Sequence, residues 1–240
     1  MPSAPKPKRS GLAERRGFRG EIETDAGLCA LLLRADIDQA AGAFAQAIKA
    51  KQWKKGVPRA KMPRNWFDGR HYLAYQLRGH RWTTILHEYT KSTFTEQVAK
   101  DLSTSLGSGA VFTCSQDTAG VVWYVLYDSA RLAEVFFLHD ERGETFHTLT
   151  DAEFAHVEKH GFSKTPYGYF CASRVRKISE TRCRGLCGCE SGDEAIVKLN
   201  RIIDDFFKSQ DAYLSFPNSE DFTLARDADS DFVRLDLIEA

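Results

Sequence analysis

The sequence lacks the features that define several classes of protein. Its 240 residues contain no apolar run approaching the roughly 20 residues that a helix needs to cross a bilayer. Glycine and proline number only 17 and 7, which excludes a collagen-like repeat and a chain disordered along its whole length. Lys plus Arg and Asp plus Glu each number 33, so the zero net charge gives no overall attraction to nucleic acid or membranes. The composition predicts a soluble globular protein with a sizeable core.

The zero net charge conceals an asymmetry between the two ends of the chain. Residues 1–64 carry 14 basic and 6 acidic side chains, a net charge of +8. Residues 190–240 carry 5 basic and 13 acidic side chains, a net charge of −8. Ends of opposite sign either attract each other within the fold or form two separate surfaces for partners of opposite charge. The sequence leaves both alternatives open.

Residues 1–25 are predicted to form a disordered basic tail. The first 19 residues hold three prolines and a single aromatic residue, Phe18, too little apolar surface to offset the entropy lost on ordering. No apolar segment follows the basic start as a secretory signal requires, so a cytoplasmic location is expected. One α+β domain is predicted over 26–240, with a sheet core at 26–149 and a helical, cysteine-containing and acidic part at 150–240.

Apolar periodicity predicts an α+β fold on a mixed, mostly antiparallel sheet. The element order is βαββ followed by αβββ, with helices on one face of the sheet, and a C-terminal helix and short strands come last. Asp36 is predicted to cap the first helix, which Gly56 and Pro58 end, and Gly107 is predicted to end the second. The predicted elements are strands at 27–34, 71–78, 82–88, 110–114, 121–127, 132–138, 213–216 and 232–238, and helices from Asp36, from Thr93, at 150–161 and from Ser191.

A basic cluster with interleaved aromatic residues follows the first helix. Its predicted partner-binding residues are Lys54, Lys55, Arg59, Lys61 and Arg64. Cations interleaved with rings such as Trp53 are typical of single-stranded nucleic-acid binding, in which charge holds phosphates and rings stack on bases. Neutral overall charge and the lack of a recognised binding motif favour the alternative, a solvated helix end and loop with the tryptophan turned into the core.

Acidic residues alternate shortly before the last strand. Asp227, Asp229 and Asp231 are similar to the first half of a calcium-binding loop, but the glycine and the distal glutamate of such a loop are missing. We therefore interpret these residues as a solvated edge or as a docking surface for a basic partner.

Four cysteines in the C-terminal part are candidate zinc ligands, namely Cys171, Cys183, Cys187 and Cys189. Zinc prefers four nitrogen or sulfur ligands, although the spacing departs from the usual paired C-x₂-C pattern. One alternative is free thiols in a reducing cytosol, and another is a thiol made reactive by a helix N-terminus and nearby arginines. The remaining two cysteines, Cys29 and Cys114, lie in predicted strands, where we expect them to be buried as small hydrophobic residues.

The short helix at 150–161 carries a second arrangement that suits a metal. Glu153, His156 and His160 share one face of it. In a protease-type zinc helix, however, a glutamate directly follows the first histidine, and Val157 occupies that place here. No nucleophile elbow and no glycine-rich phosphate loop completes a catalytic set, so the sequence favours a protein that is not an enzyme.

Three segments together resemble a family of small bacterial α+β proteins that has no established activity. They are residues 31–36, 78–83 and 99–134, and the resemblance covers about 28–140. It implies a shared pattern of packing and assigns no catalytic residue. Small α+β proteins of this kind include toxin-immunity and other conflict-system proteins, which is an analogy of fold alone.

These features predict a non-enzymatic protein-binding protein, of the bacterial conflict or immunity type by analogy. We expect a protein partner, no membrane, and no cofactor other than a structural zinc at the C-terminal cysteines. One alternative is a zinc-binding or thiol-dependent enzyme that uses the region from Cys171 to Cys189. The other is nucleic-acid binding by the basic N-terminal third.

Overall fold

A computed structural model describes residues 16–19, 28–58, 61, 70–88, 96–116, 121–139, 163–164, 170–171, 192–215 and 231–240. No helix within these ranges is long and apolar enough to cross a membrane. The helices are α1 (Ile37–Ala47), α2 (Glu96–Leu106) and α3 (Gly192–Ser209). The strands are β1 (Gly17–Arg19), β2 (Leu28–Leu33), β3 (Gln52–Lys54), β4 (His71–Leu77), β5 (Thr83–Glu88), β6 (Gly109–Gln116), β7 (Val121–Asp128), β8 (Arg131–His139), β9 (Ser163–Lys164), β10 (Phe170–Cys171), β11 (Tyr213–Ser215) and β12 (Phe232–Glu239).

Eight of the strands form one sheet in the order β3-β12-β4-β5-β2-β6-β7-β8. Every neighbouring pair in this sheet is antiparallel. The chain order β2-α1-β3-β4-β5 followed by α2-β6-β7-β8 agrees with the predicted βαββ-αβββ pattern except for the additional strand β3, and the α+β class is confirmed. The single parallel contact among the described strands joins β1 to β11, outside the large sheet.

Both faces of the sheet are covered by helices. Side chains alternate along β2, so Leu31 and Leu33 join α1 and α2 in one apolar cluster. Ala30 and Leu32 join the opposite cluster, which contains the apolar face of α3. The helices α1 and α2 thus share one face as predicted, and the C-terminal helix closes the other. This double cover explains why β2 reads as a continuous apolar run in an antiparallel sheet.

The first helix begins where its sequence predicts and ends earlier. The Asp36 side chain accepts a hydrogen bond from the Gln39 amide at 2.9 Å, which confirms the predicted N-cap. The predicted end at Gly56 is wrong, because α1 ends at Ala47 and Lys49 adopts a left-handed φ of 55°. The chain then turns back and forms β3 against β12. That partner strand lies at the far end of the chain, where helical periodicity gives no sign of it.

The second helix ends as predicted, before Gly107 with its φ of 59°. The tail prediction for 1–25 is wrong for residues 17–19, which form β1. The reason is the single aromatic residue of that region, since Phe18 packs into the cluster beneath α3. The predicted helix at 150–161 lies outside the described residues.

Candidate partner-binding site

The basic cluster and the acidic C-terminal strand are neighbours in the sheet. β3 pairs with β12, with Lys54 opposite Leu237 and Gln52 opposite Glu239. The Lys51 amide donates to the carbonyl of Glu239 at 2.8 Å and extends the pairing. Oppositely charged ends of the chain therefore meet at one edge of the sheet, so part of the charge asymmetry is internal to the fold.

A fully buried carboxylate, Asp236, fastens this edge together. Its Oδ1 accepts hydrogen bonds from the Gly56 amide at 3.0 Å and from Arg234 Nε at 2.8 Å. Its Oδ2 accepts from Trp53 Nε1 at 3.0 Å and from Arg234 Nη2 at 2.9 Å. Four donors, two of them on a guanidinium, use the acceptor positions of the carboxylate. Asp236 therefore ties β12 to the segment that follows β3.

The same arginine reaches across to α1. Arg234 Nη1 and Nη2 donate to Asp38 Oδ2 and Oδ1 at 3.0 and 2.8 Å, and Lys55 Nζ donates to Asp38 Oδ1 at 2.9 Å. Arg234 first, and then Lys55, hold the pKa of the Asp38 carboxyl well below its usual range. Lys55, a predicted partner-binding residue, is thus neutralised within the chain. Asp38 was not predicted as a site residue, because its partners come from two other segments of the chain.

Trp53 is not free to stack on a base. Lys55 Nζ lies 4.1 Å from the centroid of its ring. The ring also packs on α1, where a Cβ added at Gly42 would stand 3.4 Å from two of its carbons. Its Nε1 is engaged by Asp236. The Trp53 ring is therefore not available to stack on a base, which weakens the nucleic-acid interpretation. A second tryptophan that follows the basic cluster, Trp66, lies outside the described residues.

Lysines without an acidic partner remain around β3. Each is exposed, and none makes an ion pair within the part of the chain that the structure describes: Lys49, Lys51, Lys54 and Lys61. Lys54 lies opposite Leu237, whereas Trp53 lies opposite Ile238 on the other face. Lys54 and Lys55 therefore differ in surroundings although they are adjacent in sequence. We call these four lysines the basic edge.

Of the predicted acidic surface, the structure describes only Asp231, which lies away from Lys54. Asp231 is half-buried directly before β12, and its carbonyl accepts from the Arg78 amide at 2.9 Å. Leu237, the partner of Lys54, lies six positions further along the chain, which is roughly 20 Å along a strand. The remaining predicted partner-binding residues lie outside the described residues: Arg59, Arg64, Asp227 and Asp229.

The predicted metal sites lie almost wholly outside the described residues. Cys171 belongs to β10, and only its backbone is described. The other members are not described, namely Cys183, Cys187, Cys189, Glu153, His156 and His160. Within the described ranges, no group of three His, Cys, Asp or Glu residues could hold a metal ion. The zinc site stays a prediction.

Cys29 and Cys114 are buried free thiols, which confirms their predicted role as core residues. They stand opposite each other on β2 and β6. Burial, and then the neighbouring Cys29, raise the pKa of the Cys114 thiol far above its usual range. The reactive form of cysteine is the thiolate, so this environment makes Cys114 inert.

We expect neither Cys29 nor Cys114 to be alkylated by iodoacetamide in the folded protein at pH 8. Peptide mass spectrometry checks this, with a denatured sample as the positive control. Because folding raises the pKa of Cys114, its burial favours the folded state below the unfolded thiol pKa of about 8.5. That contribution falls as the pH rises above this value. Labelling of either residue without loss of the fold would contradict the buried placement.

Known proteins provide no template for this site. No protein-family model, no curated protein and no solved structure matches the chain.

Proposed function

We propose that the chain is a non-enzymatic protein-binding protein that docks an acidic partner surface on its basic edge. The observation that carries the proposal is the uneven neutralisation of charge around β3. Lys55 and Arg234 are paired with Asp38 and Asp236, whereas the four lysines of the basic edge make no ion pair within the described residues. Uncompensated charge on an otherwise neutral protein steers a surface of opposite sign toward it.

The chemistry of the edge favours binding over catalysis. Two of its carboxylates are occupied, since Asp236 accepts four hydrogen bonds and Asp38 accepts three. Neither is placed to take a proton from a substrate. The covered ring of Trp53 favours a protein partner over single-stranded nucleic acid, which needs an open aromatic face.

An immunity protein of a bacterial conflict system is the class of protein-binding protein that we propose. Such a protein acts by covering a partner, and charge complementarity speeds association and sets specificity. The resemblance to small bacterial α+β proteins supports this class by analogy of fold.

Reversing two charges of the basic edge is expected to weaken partner binding at least tenfold. In Lys51→Glu/Lys54→Glu, like charges would face the acidic partner, and the loss should appear chiefly in the association rate. The partner is first captured from the source cells with the tagged chain, identified and purified. Its association is then measured by surface plasmon resonance at low and high salt, because screening should slow the wild-type association rate.

Lys100→Glu is the matched control, since Lys100 is an exposed lysine on α2. We expect its binding to equal that of the wild type. Exposed substitutions of this kind should change stability by no more than about 0.5 kcal/mol. Equal binding by wild type and double variant, or capture that nuclease treatment abolishes, would contradict the proposal.

A further inference from the structure

Residues 16–19 lie against α3 and β11 in the manner of an added strand. Gly17 pairs with Tyr213 and Phe18 with Leu214, in parallel register. The Gly17 amide donates to the carbonyl of Ala212 at 2.9 Å. This segment comes from the beginning of the chain, whereas its binding surface is formed by the C-terminal part.

Two side chains of the segment make separate contacts with this surface. Phe18 is 8% exposed and belongs to the apolar cluster that contains Phe206, Phe207 and Leu214. Arg16 Nη1 lies 2.9 Å from Asp211 Oδ1. The apolar cluster therefore takes the aromatic ring, and an exposed carboxylate takes the guanidinium.

The residue between them has to be glycine. The Phe18 amide donates to Asp204 Oδ1 at 2.8 Å, which brings α3 close to the backbone of the segment. A Cβ at Gly17 would stand 2.0 Å from that oxygen, and the φ of Gly17 is 97°, a value that other residues rarely adopt. The surface thus selects the sequence Arg-Gly-aromatic.

We infer that the groove between α3 and β11 is a peptide-recognition site for an extended Arg-Gly-Phe segment, filled here by residues 16–18, and that it accepts the same segment of a second copy of the chain. Main-chain pairing with a strand edge plus one side-chain pocket is the usual way in which an added strand is recognised. A pair of three-residue strands is not stable alone, so the side-chain contacts hold the segment. This site is separate from the basic edge.

The connection between β1 and β2 permits the exchange. Eight residues, 20–27, join the two strands, and eight extended residues span up to about 26 Å. Because β1 pairs with β11 in a separate two-stranded sheet, its departure from the groove breaks no pairing of the large sheet. Exchange of an identical element between copies costs little, because the contacts in the second copy repeat those in the first.

A tethered segment competes strongly with a free one. A segment that is part of the same chain as its groove has an effective concentration on the order of millimolar. A peptide added at micromolar concentration should therefore enter the wild-type groove poorly and an emptied groove readily.

The experiment uses full-length protein and a fluorescein-labelled peptide with the sequence of residues 14–21. In the chain variant Gly17→Val, the native segment cannot seat because of the contact with Asp204. We expect this variant to bind the peptide saturably in fluorescence anisotropy, at least tenfold more tightly than the wild type does. Peptides carrying Gly17→Val or Phe18→Ala should bind at least tenfold more weakly.

A second chain variant, Phe18→Ala, empties the same groove without touching the glycine. Circular dichroism establishes that the variants are folded. Three outcomes would overturn the inference. The wild type and the folded variants could bind the peptide equally, neither folded variant could bind it, or both variants could be unfolded. The charge-reversed chain Lys51→Glu/Lys54→Glu should behave as the wild type in this assay, which separates it from the proposed function.

Exchange between copies is tested with the wild-type chain alone. Analytical ultracentrifugation should detect a dimer whose fraction rises with protein concentration. Added peptide should lower this fraction, and Gly17→Val should abolish the dimer. A chain that stays monomeric at millimolar concentration, or a dimer that Gly17→Val leaves unchanged, would overturn the second-copy part of the inference.

Discussion

Replacing Arg234 with methionine is expected to lower the free energy of unfolding by about 3–5 kcal/mol. The guanidinium donates to both oxygens of Asp236, which is 0% exposed. Without it the buried carboxylate keeps only two neutral donors, Trp53 Nε1 and the Gly56 amide. An uncompensated buried charge costs far more than an intact pair contributes. Urea denaturation with linear extrapolation measures the loss.

A second substitution separates the cost of the stranded charge from the loss of contacts. Arg234→Met/Asp236→Asn should lose less stability than Arg234→Met alone, because asparagine is neutral and still offers an acceptor to the Gly56 amide. Arg131→Met, at the exposed start of β8, is the matched control and should change stability by about 0.5 kcal/mol or less. If Arg234→Met costs no more than Arg131→Met, Arg234 does not hold the edge.

Local signals in the sequence predicted local structure well. The Asp36 cap, the end of α2 before Gly107, and the paired strands β4 and β5 were all predicted from residues a few positions apart. Caps, stops and hairpins depend on contacts of short sequence separation, and those contacts leave a visible pattern.

The candidate site was predicted only in part, because its contacts join distant segments. β3 forms by pairing with β12, which is distant in sequence. A count of acidic residues at the end of the chain cannot show that the carboxylate of Asp236 is buried and hydrogen-bonded within the fold. Nor could composition distinguish Lys54 from Lys55. The first makes no ion pair among the described residues, and the second is bound to Asp38.

The same limit applies at the beginning of the chain. Composition alone favoured a tail there, since one phenylalanine among prolines and arginines cannot form a core. The pocket beneath α3 supplies the missing apolar surface for Phe18. A segment that cannot fold by itself therefore becomes ordered on a surface made by residues far along the chain.

Replacing Phe206 with alanine is expected to lower the free energy of unfolding by about 3–5 kcal/mol. Phe206 is 0% exposed at the centre of the face that α3 presents to the sheet. Its ring stacks on Tyr124 of β7, with centroids 3.7 Å apart, and meets Phe207 edge-on at 5.2 Å. Truncation would remove both contacts and leave a cavity between helix and sheet. Phe206→Leu, which fills most of that volume, should cost clearly less.

The size of this loss also tests whether residues 26–240 fold as one domain. Because Phe206 joins a C-terminal helix to β7, its truncation should destabilise the sheet and the helix together. Trp82 reports on this contact by its fluorescence, because its Nε1 donates to the carbonyl of Gln210 at 3.0 Å. Tryptophan fluorescence and far-ultraviolet circular dichroism should then give coincident unfolding transitions that are shifted by the same amount. The opposite outcome would be two unfolding transitions, of which Phe206→Ala shifts only the smaller one. That result would mean that α3 folds apart from the sheet. In that case its apolar face would contribute to a second unit of the chain and not to the core of the first.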